Sequence, residues 1–348
     1  MASLADGPDD DNDGAVEGRL ELVTVLVPAH NEQDFLGRCL DSIRVQDHDN
    51  LQIVVIENGS TDDTAAVADS HRAQDARIEL VSHGRPGISC ALNAGLERAR
   101  GRWLVRIDAH STVAPDYVSR AVERLREGAW GGVGGRKDGV GVTPAGRAIA
   151  TAMGSRFGVG GSVYHHGTAV QEVDHVAFGA YPTALVRDVG GWDERIAANE
   201  DFEFDQRLRK AGQSLLFDPL LVVSWHCRQS VADLFRQYQR YGRGKVAVAI
   251  RHPESIRLRH ALPPLAVAYF AAALAVAVER PRWSFIMLTP YAAAVTVASS
   301  AAGRKLDSFH EKAVLPVAFV AMHVGWGLGF WREAGRTLTA RARSGASS

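Results

Sequence analysis

Two short polar clusters carry the side chains of this 348-residue chain that could do chemistry. Asp108 and His110 close the apolar run WLVRIDAH (residues 103–110), and Glu200 and Asp201 open the stretch NEDFEFDQRLRKAG (residues 199–212). The second stretch reads as a helix, with Phe202 and Leu208 on an apolar face and Gly212 as its C-terminal stop. A carboxylate at a helix N-terminus is held ionised by the helix dipole, and an ionised carboxylate within reach of a hydroxyl is a general base. Each cluster also has a plain structural reading, a solvated strand end for the first and an acidic N-cap for the second. The surrounding elements decide between the readings.

Those elements start with VTVLVPAHNE (residues 23–32) and LQIVVIENGSTDDT (residues 51–64). A β-branched run that ends in small and polar residues reads as a buried parallel strand whose carboxyl end opens on a ligand crevice. Between the two, residues 34–45 carry Phe35, Leu36, Leu40 and Ile43 at helical spacing, which predicts a right-handed strand-helix-strand unit with a nucleotide above it. The Ser/Thr/Asp cluster of GSTDDT caps a further helix over residues 65–73. ISCALNAGLERARG (residues 88–101) then reads as a helix feeding the strand that ends at Asp108. Asp108 and His110 therefore fall in register with the two earlier strand ends.

PAHNE and ENGSTDDT together resemble the nucleotide-binding half of family 2 glycosyltransferases. The resemblance runs over about residues 20–245 and implies an α/β, Rossmann-like GT-A fold that binds a nucleotide-diphosphate sugar, a UDP-sugar first. By it, Pro28, Ala29, Asn31 and Glu32 line the base and ribose, Glu57 and Asn58 stand at the family's acidic pair, with Glu57 at the aspartate that reads the base edge, and Gly59 follows them in the donor-binding loop. Asp108-Ala-His110 falls at the family's DxD motif, which implies a divalent cation, Mn2+ or Mg2+, with Asp108 as ligand; His110 adds a nitrogen ligand or touches phosphate directly. Asp201 takes the place of the catalytic base, and Glu200 orients the acceptor or the base. His226, in WHCR (residues 225–228), is a further metal ligand or a structural histidine, and Arg228 neutralises phosphate. QYQRYGRGK (residues 237–245) resembles a QxxRW motif, with Gln237, Arg240 and Tyr241 in its places. It closes over the diphosphate, rests as a basic amphipathic helix on anionic headgroups, or does both. Taken with RFGVGGS and VAFGAY, these motifs are most similar to membrane-attached, succinoglycan-type (ExoA-like) exopolysaccharide glycosyltransferases.

Composition excludes other classes. Lys and Arg total 39 against 40 Asp and Glu, so a net charge of −1 makes no electrostatic case for nucleic acid. Cys39, Cys90 and Cys227 have no CxxC spacing and their odd number argues against a disulfide framework, which fits a reducing compartment. Residues 1–19, with Asp9, Asp10, Asp11 and Asp13, read as a solvated acidic tail and not as an export signal. A basic linker is expected over residues 246–260, membrane segments over 261–278, 283–302 and 313–331, and a basic tail over 332–348. Three crossings would set Arg332, Arg336, Arg341 and Arg343 opposite the catalytic domain, against the positive-inside tendency, so a re-entrant or interfacial run stays open. The expectation is a multi-pass protein of the cell membrane with its catalytic domain on the cytoplasmic face. It moves a hexose, with inversion, to a lipid-linked saccharide in exopolysaccharide or cell-surface glycan synthesis. The alternatives are a polyprenyl-phosphate glycosyltransferase and a non-catalytic nucleotide-sugar-binding subunit of a polysaccharide assembly complex.

Overall fold

The computed structural model describes residues 20–85 and 87–345; the tail expected over residues 1–19 lies outside the described residues. In chain order the elements are β1 (Val23–Ala29), α1 (Leu36–Arg44), β2 (Leu51–Glu57), α2 (Thr64–Arg72), β3 (Ile78–Ser82), α3 (Ile88–Arg98) and β4 (Trp103–Arg106). Then follow β5 (Ser111–Val113), α4 (Tyr117–Arg126), β6 (Gly132–Val140), α5 (Pro144–Met153), α6 (Arg156–Val159), β7 (Gln171–Val173), β8 (Ala180–Pro182) and α7 (Thr183–Asp188). The last group is α8 (Glu200–Lys210), β9 (Leu215–His226), α9 (Val231–Arg251), α10 (Leu258–Glu279), α11 (Pro281–Ala302) and α12 (Phe309–Gly345).

One mixed sheet runs in the order β3-β2-β1-β4-β8-β6-β9-β5, with β7 paired to β9. Its first four strands are parallel, and β8 pairs antiparallel with β4. Every residue of β1 is buried, because helices cover both faces. Successive side chains of a strand point to opposite faces. Val25 and Val27 accordingly join Leu36, Leu40 and Ile43 of α1 in one core, and Leu26 joins Leu92 and Leu96 of α3 in the other. Ala29 is level with Glu57, Leu26 is level with Arg106, and Ile107 donates its N–H to Leu26 O one step further on. The carboxyl ends of β2, β1 and β4 therefore open on one edge, at the point where strand order reverses, which is where open α/β sheets bind ligands.

Among the described residues three helices are long and apolar enough to cross a membrane, Leu258–Glu279, Pro281–Lys305 and Phe309–Ala340. They are not alike. Protein buries 44% of the apolar stretch of α12, against 11% for α10 and 6% for α11. α12 lies along α9, and a Cβ on Gly329 would sit 2.1 Å from Gln239 O, while one on Gly242 would sit 2.0 Å from Trp326 O. Only backbone hydrogens let the two helices approach this closely. Leu315, Ala318, Phe319 and Met322 are buried in the same core as β1 and α1.

Several sequence boundaries shift accordingly. The linker expected over residues 246–260 does not exist as such: α9 runs on to Arg251, a single 3-10 turn follows, and α10 begins at Leu258. The basic tail is the end of α12, which is helical through Gly345. QYQRYGRGK lies within α9, where Gln237, Tyr238 and Lys245 are buried and α12 packs closely along the helix.

Candidate active site

The loops after β1 and β2 are stitched to each other before either meets a ligand. Asn31, held at φ 55°, donates its N–H to Ser60 Oγ and accepts from Thr61 N at 2.8 Å, and Glu32 donates its N–H to Thr64 Oγ1. The Glu57 carboxylate accepts from Ser60 N. Asn58 donates Nδ2 to Gly87 O and is 8% exposed. Pro28 and Ala29 are buried strand residues, and with Asn58 they shape the edge instead of presenting surface for a base or ribose. The exposed surface at this edge belongs to His30, Asn31 and Gly59.

At the β4 edge the organising group is Arg106, which the sequence reading missed. It is 4% exposed and reaches Asp108 Oδ1 at 2.8 Å through Nε and Asp108 Oδ2 at 3.3 Å through Nη2. Its Nη1 ion-pairs with Glu200 at 3.1 Å. Burial alone would push the Asp108 carboxyl up, but the charge and hydrogen bonds of Arg106 bring it below the usual carboxylate range. Glu200 goes the other way, raised by burial and by its neighbour Asp201. Two acids adjacent in sequence therefore stand in different environments, Glu200 locked beneath Arg106 and Asp201 facing the cavity with its side chain 28% exposed.

His175 stands behind Asp201. Its Nδ1–H donates to Asp205 Oδ2 at 2.6 Å, and its Nε2 lies 3.7 Å from Asp201 Oδ2. Asp205, fully buried, also accepts from Val176 N and the Tyr181 hydroxyl. Burial disfavours the imidazolium, yet Asp201 and Asp205 together raise the His175 pKa above its ordinary value. Lys137 of β6 completes the floor, its ammonium 3.9 Å from the Trp225 ring centre and 4.6 Å from that of Phe178. Burial lowers Lys137 to about 8, against the pull of Asp108 and Asp201. Among the described residues the non-glycine positions with left-handed backbone are Asn31, Phe178 and Asn199, all on site loops. Such conformations cost about 1–3 kcal/mol each and persist where surrounding structure imposes them. For Asn199 the constraint is visible, since its Nδ2 donates to Tyr241 O of α9.

The side chains present suit a cation shared with a diphosphate. His110 Nδ1–H donates to Glu32 Oε1 at 3.0 Å, which leaves Nε2 with its lone pair, the arrangement by which a carboxylate orients a metal-binding histidine. Asp108 and His110 both line the cavity. No cluster of three or more His, Cys, Asp or Glu placed to hold a metal occurs among the described residues, so phosphate oxygens would complete the shell, as is usual for magnesium sites. Glu32, expected against the ribose, is thereby committed to His110. The structure does not bring His226 to this cavity wall: its ring packs on Phe35 at 4.8 Å and its Nδ1 is buried without a partner.

The wall of a cavity of about 770 Å3 includes Asp108, His110, Glu200, Asp201, Arg228, Gln237, Arg240 and Tyr241. Pro28, Ala29, Asn31, Glu32, Glu57, Asn58 and Gly59 are not part of that wall. The cavity passes on to Leu262 and Ala266 of α10, Tyr291 of α11, and Met322 and Trp326 of α12. Among these helices His323 Nε2–H donates to Phe157 O and the Tyr291 hydroxyl donates to His323 Nδ1.

Four parallel strands that end in acidic loops, with a carboxylate-imidazole pair and two further carboxylates on one cavity, are the architecture of a glycosyltransferase. The family described as Glycosyl transferase family 2 matches residues 24–187. The chain is 30% identical over 315 residues to the succinoglycan biosynthesis protein ExoA of Rhizobium meliloti (strain 1021), covering 89% of this chain and 94% of that one. The chain belongs to glycosyl transferase family 2 and is a glycosyltransferase. It is also 25% identical over 236 residues to a dolichyl N-acetyl-alpha-D-glucosaminyl phosphate 3-beta-D-2,3-diacetamido-2,3-dideoxy-beta-D-glucuronosyltransferase of Methanococcus voltae, covering 65% of this chain and 73% of that one. Its fold is that of the mannosyltransferase PcManGT from Pyrobaculum calidifontis, solved with GDP-Man and Mn2+, at a TM-score of 0.57 and 22% identity over 89% of this chain and 88% of that one.

Proposed function

We propose that the chain transfers a hexose, with inversion, from a nucleotide-diphosphate sugar to a lipid-linked saccharide in the synthesis of an exopolysaccharide or cell-surface glycan. The observation that carries this reading is the single cavity that joins Asp108 and Asp201 to the apolar helices α10, α11 and α12. A water-soluble acceptor needs no such passage, whereas a sugar on a lipid does. The relative from Methanococcus voltae, named for a dolichyl-linked sugar phosphate, supports the same class of acceptor. α10 and α11 form the lipid-facing hairpin, and α12 backs the catalytic domain. That arrangement keeps Arg332 and Arg336 on the side of the active site and accords with a cytoplasmic face.

In this mechanism Asp201 accepts the proton of the attacking hydroxyl while the acceptor oxygen bonds to the anomeric carbon and the bond from that carbon to the diphosphate breaks on the opposite face. Glu200, held by Arg106, fixes the first turn of α8 and so the position of Asp201. Lys137, Arg228 and Arg240 supply positive charge where the diphosphate leaves. A divalent cation held by Asp108 and His110 would neutralise the same charge.

Asp201→Asn keeps the side-chain volume and the contact from Phe202 N to Oδ1. It should retain affinity for donor nucleotide while losing about 10²–10⁴ in transfer rate, the usual worth of a general base. Loss of donor binding and rate together would move Asp201 to the donor site. Undiminished transfer to a polyprenyl phosphate, whose charged oxygen needs no base, would replace the saccharide acceptor with that one. Wild-type protein that binds UDP- or GDP-sugars but turns none over would make the chain a binding subunit.

A further inference from the structure

Three cations also line this cavity, Arg156 of α6, Lys245 of α9 and Arg259 of α10, here termed its waist. α6 abuts α10 here: Gly160, whose N–H bonds Arg156 O at 2.8 Å, stands with its Cβ position 3.1 Å from Arg259 Cβ. The charges at this waist do not balance. Arg259 shares its one carboxylate, Asp174 at 3.2 Å, with Arg257 at 3.7 Å. Lys245 is 3% exposed, and its ammonium meets only the two oxygens of Ser255, at 3.4 Å, and the face of Phe202. Burial, reinforced by Arg259, lowers Lys245 to about 7. Arg156 has no ion pair among the described residues. Of the three, Lys245 is the cation withdrawn from water with no ion pair among the described residues, which is costly unless an anion joins it.

Resting on the lipid-linked reading above, we propose that this waist binds the phosphate or pyrophosphate of the acceptor, whose lipid chain leaves between α10, α11 and α12. Three donors around one pocket suit phosphate oxygens. Position fits as well: Asp174 precedes His175, which is 3.7 Å from Asp201, so a sugar attached to the bound phosphate lies within a side chain or two of the base. The donor diphosphate belongs at the other end, by Asp108 and His110.

The test uses the full chain in detergent, with farnesyl pyrophosphate, inorganic pyrophosphate, farnesol, UDP and GDP as probes in calorimetric titrations. Wild type should bind farnesyl pyrophosphate more tightly than either half of that molecule. Arg156→Ala, at an exposed position, and Lys245→Met should each weaken farnesyl pyrophosphate about 10- to 100-fold, the worth of one charge-assisted hydrogen bond, and leave the nucleotides unchanged. Arg156→Lys should recover part of the loss. Unchanged farnesyl pyrophosphate affinity in both variants would overturn the waist while the lipid-linked reading stood. Parallel loss of UDP or GDP binding would reassign the cations to the donor. Inorganic pyrophosphate binding as tightly as farnesyl pyrophosphate would remove the lipid from the site. Wild type that binds neither farnesyl pyrophosphate nor farnesol would overturn the lipid-linked reading itself.

Discussion

Replacing Arg106 by methionine isolates the node on which the site is built. The guanidinium serves Asp108 through two hydrogen bonds and Glu200 through an ion pair, and the side chains of those acids are 15% and 10% exposed. Methionine fills a similar volume but leaves two carboxylates in a poorly hydrated pocket. Breaking a buried pair from one side costs about 3–5 kcal/mol, and here two acids lose the same partner, so the upper part of that range is expected near pH 7.5. The cost has a pH signature. In wild type the lowered pKa of Asp108 contributes stability above the unfolded carboxylate range near 4, and that stability is lost as pH falls. In the variant both acids are raised, so protonation relieves them, and the gap between variant and wild type should narrow markedly at pH 5. Urea denaturation of the full chain in detergent at both pH values measures it. Adding Glu200→Gln to Arg106→Met should restore part of the loss, because the second orphaned charge is gone. A loss under about 1 kcal/mol at pH 7.5, or one independent of pH, would refute the assignment of Arg106 as the counter-charge of both acids.

His175→Gln tests the opposite sign: the raised pKa of His175 adds stability that is fully present below its unfolded value of 6.5 and lost as pH rises through the folded value. Denaturation midpoints of the variant should therefore fall short of wild type at pH 5.5 and approach it at pH 8.5, and a constant gap would reduce His175 to packing. A chain ended after His252 should be insoluble or misfolded, because Leu315, Phe319 and Met322 leave the core with α12. Soluble expression with nucleotide binding retained would show that α12 is dispensable.

The strand-end chemistry was legible because it follows from local patterns. Buried β-branched runs demand a covered parallel sheet, and such a sheet puts its strand ends on one edge, so Asp108 and His110 had to meet the loops after β1 and β2. The partners were not legible. His175 meets Asp205 across 30 residues and Arg106 meets Glu200 across 94, distances over which a single sequence carries no pairing signal. A faint cue existed for Arg106, since residues two apart on a strand share a face and 106 and 108 bracket the strand end. Nor was burial within the motifs legible: Pro28, Ala29 and Asn58 are buried at the edge, while His30, Asn31 and Gly59 are exposed. The apolar length of α12 looked like that of α10 and α11, although Gly325 and Gly329 mark a face that meets the backbone of α9, and Gly327 meets that of α10.

That glycine face sets an order of events during synthesis. The ribosome releases β1 through β9 long before α12 emerges, yet Phe319 and Met322 belong to the same interior as Val25 and Leu40. Until the final helix arrives, the nascent sheet keeps an uncovered apolar flank and α9 an open groove. The two apolar helices α10 and α11 come out in between, so they are made before that interior can close. A molecule stalled before α12 offers chaperones and proteases a persistent handle.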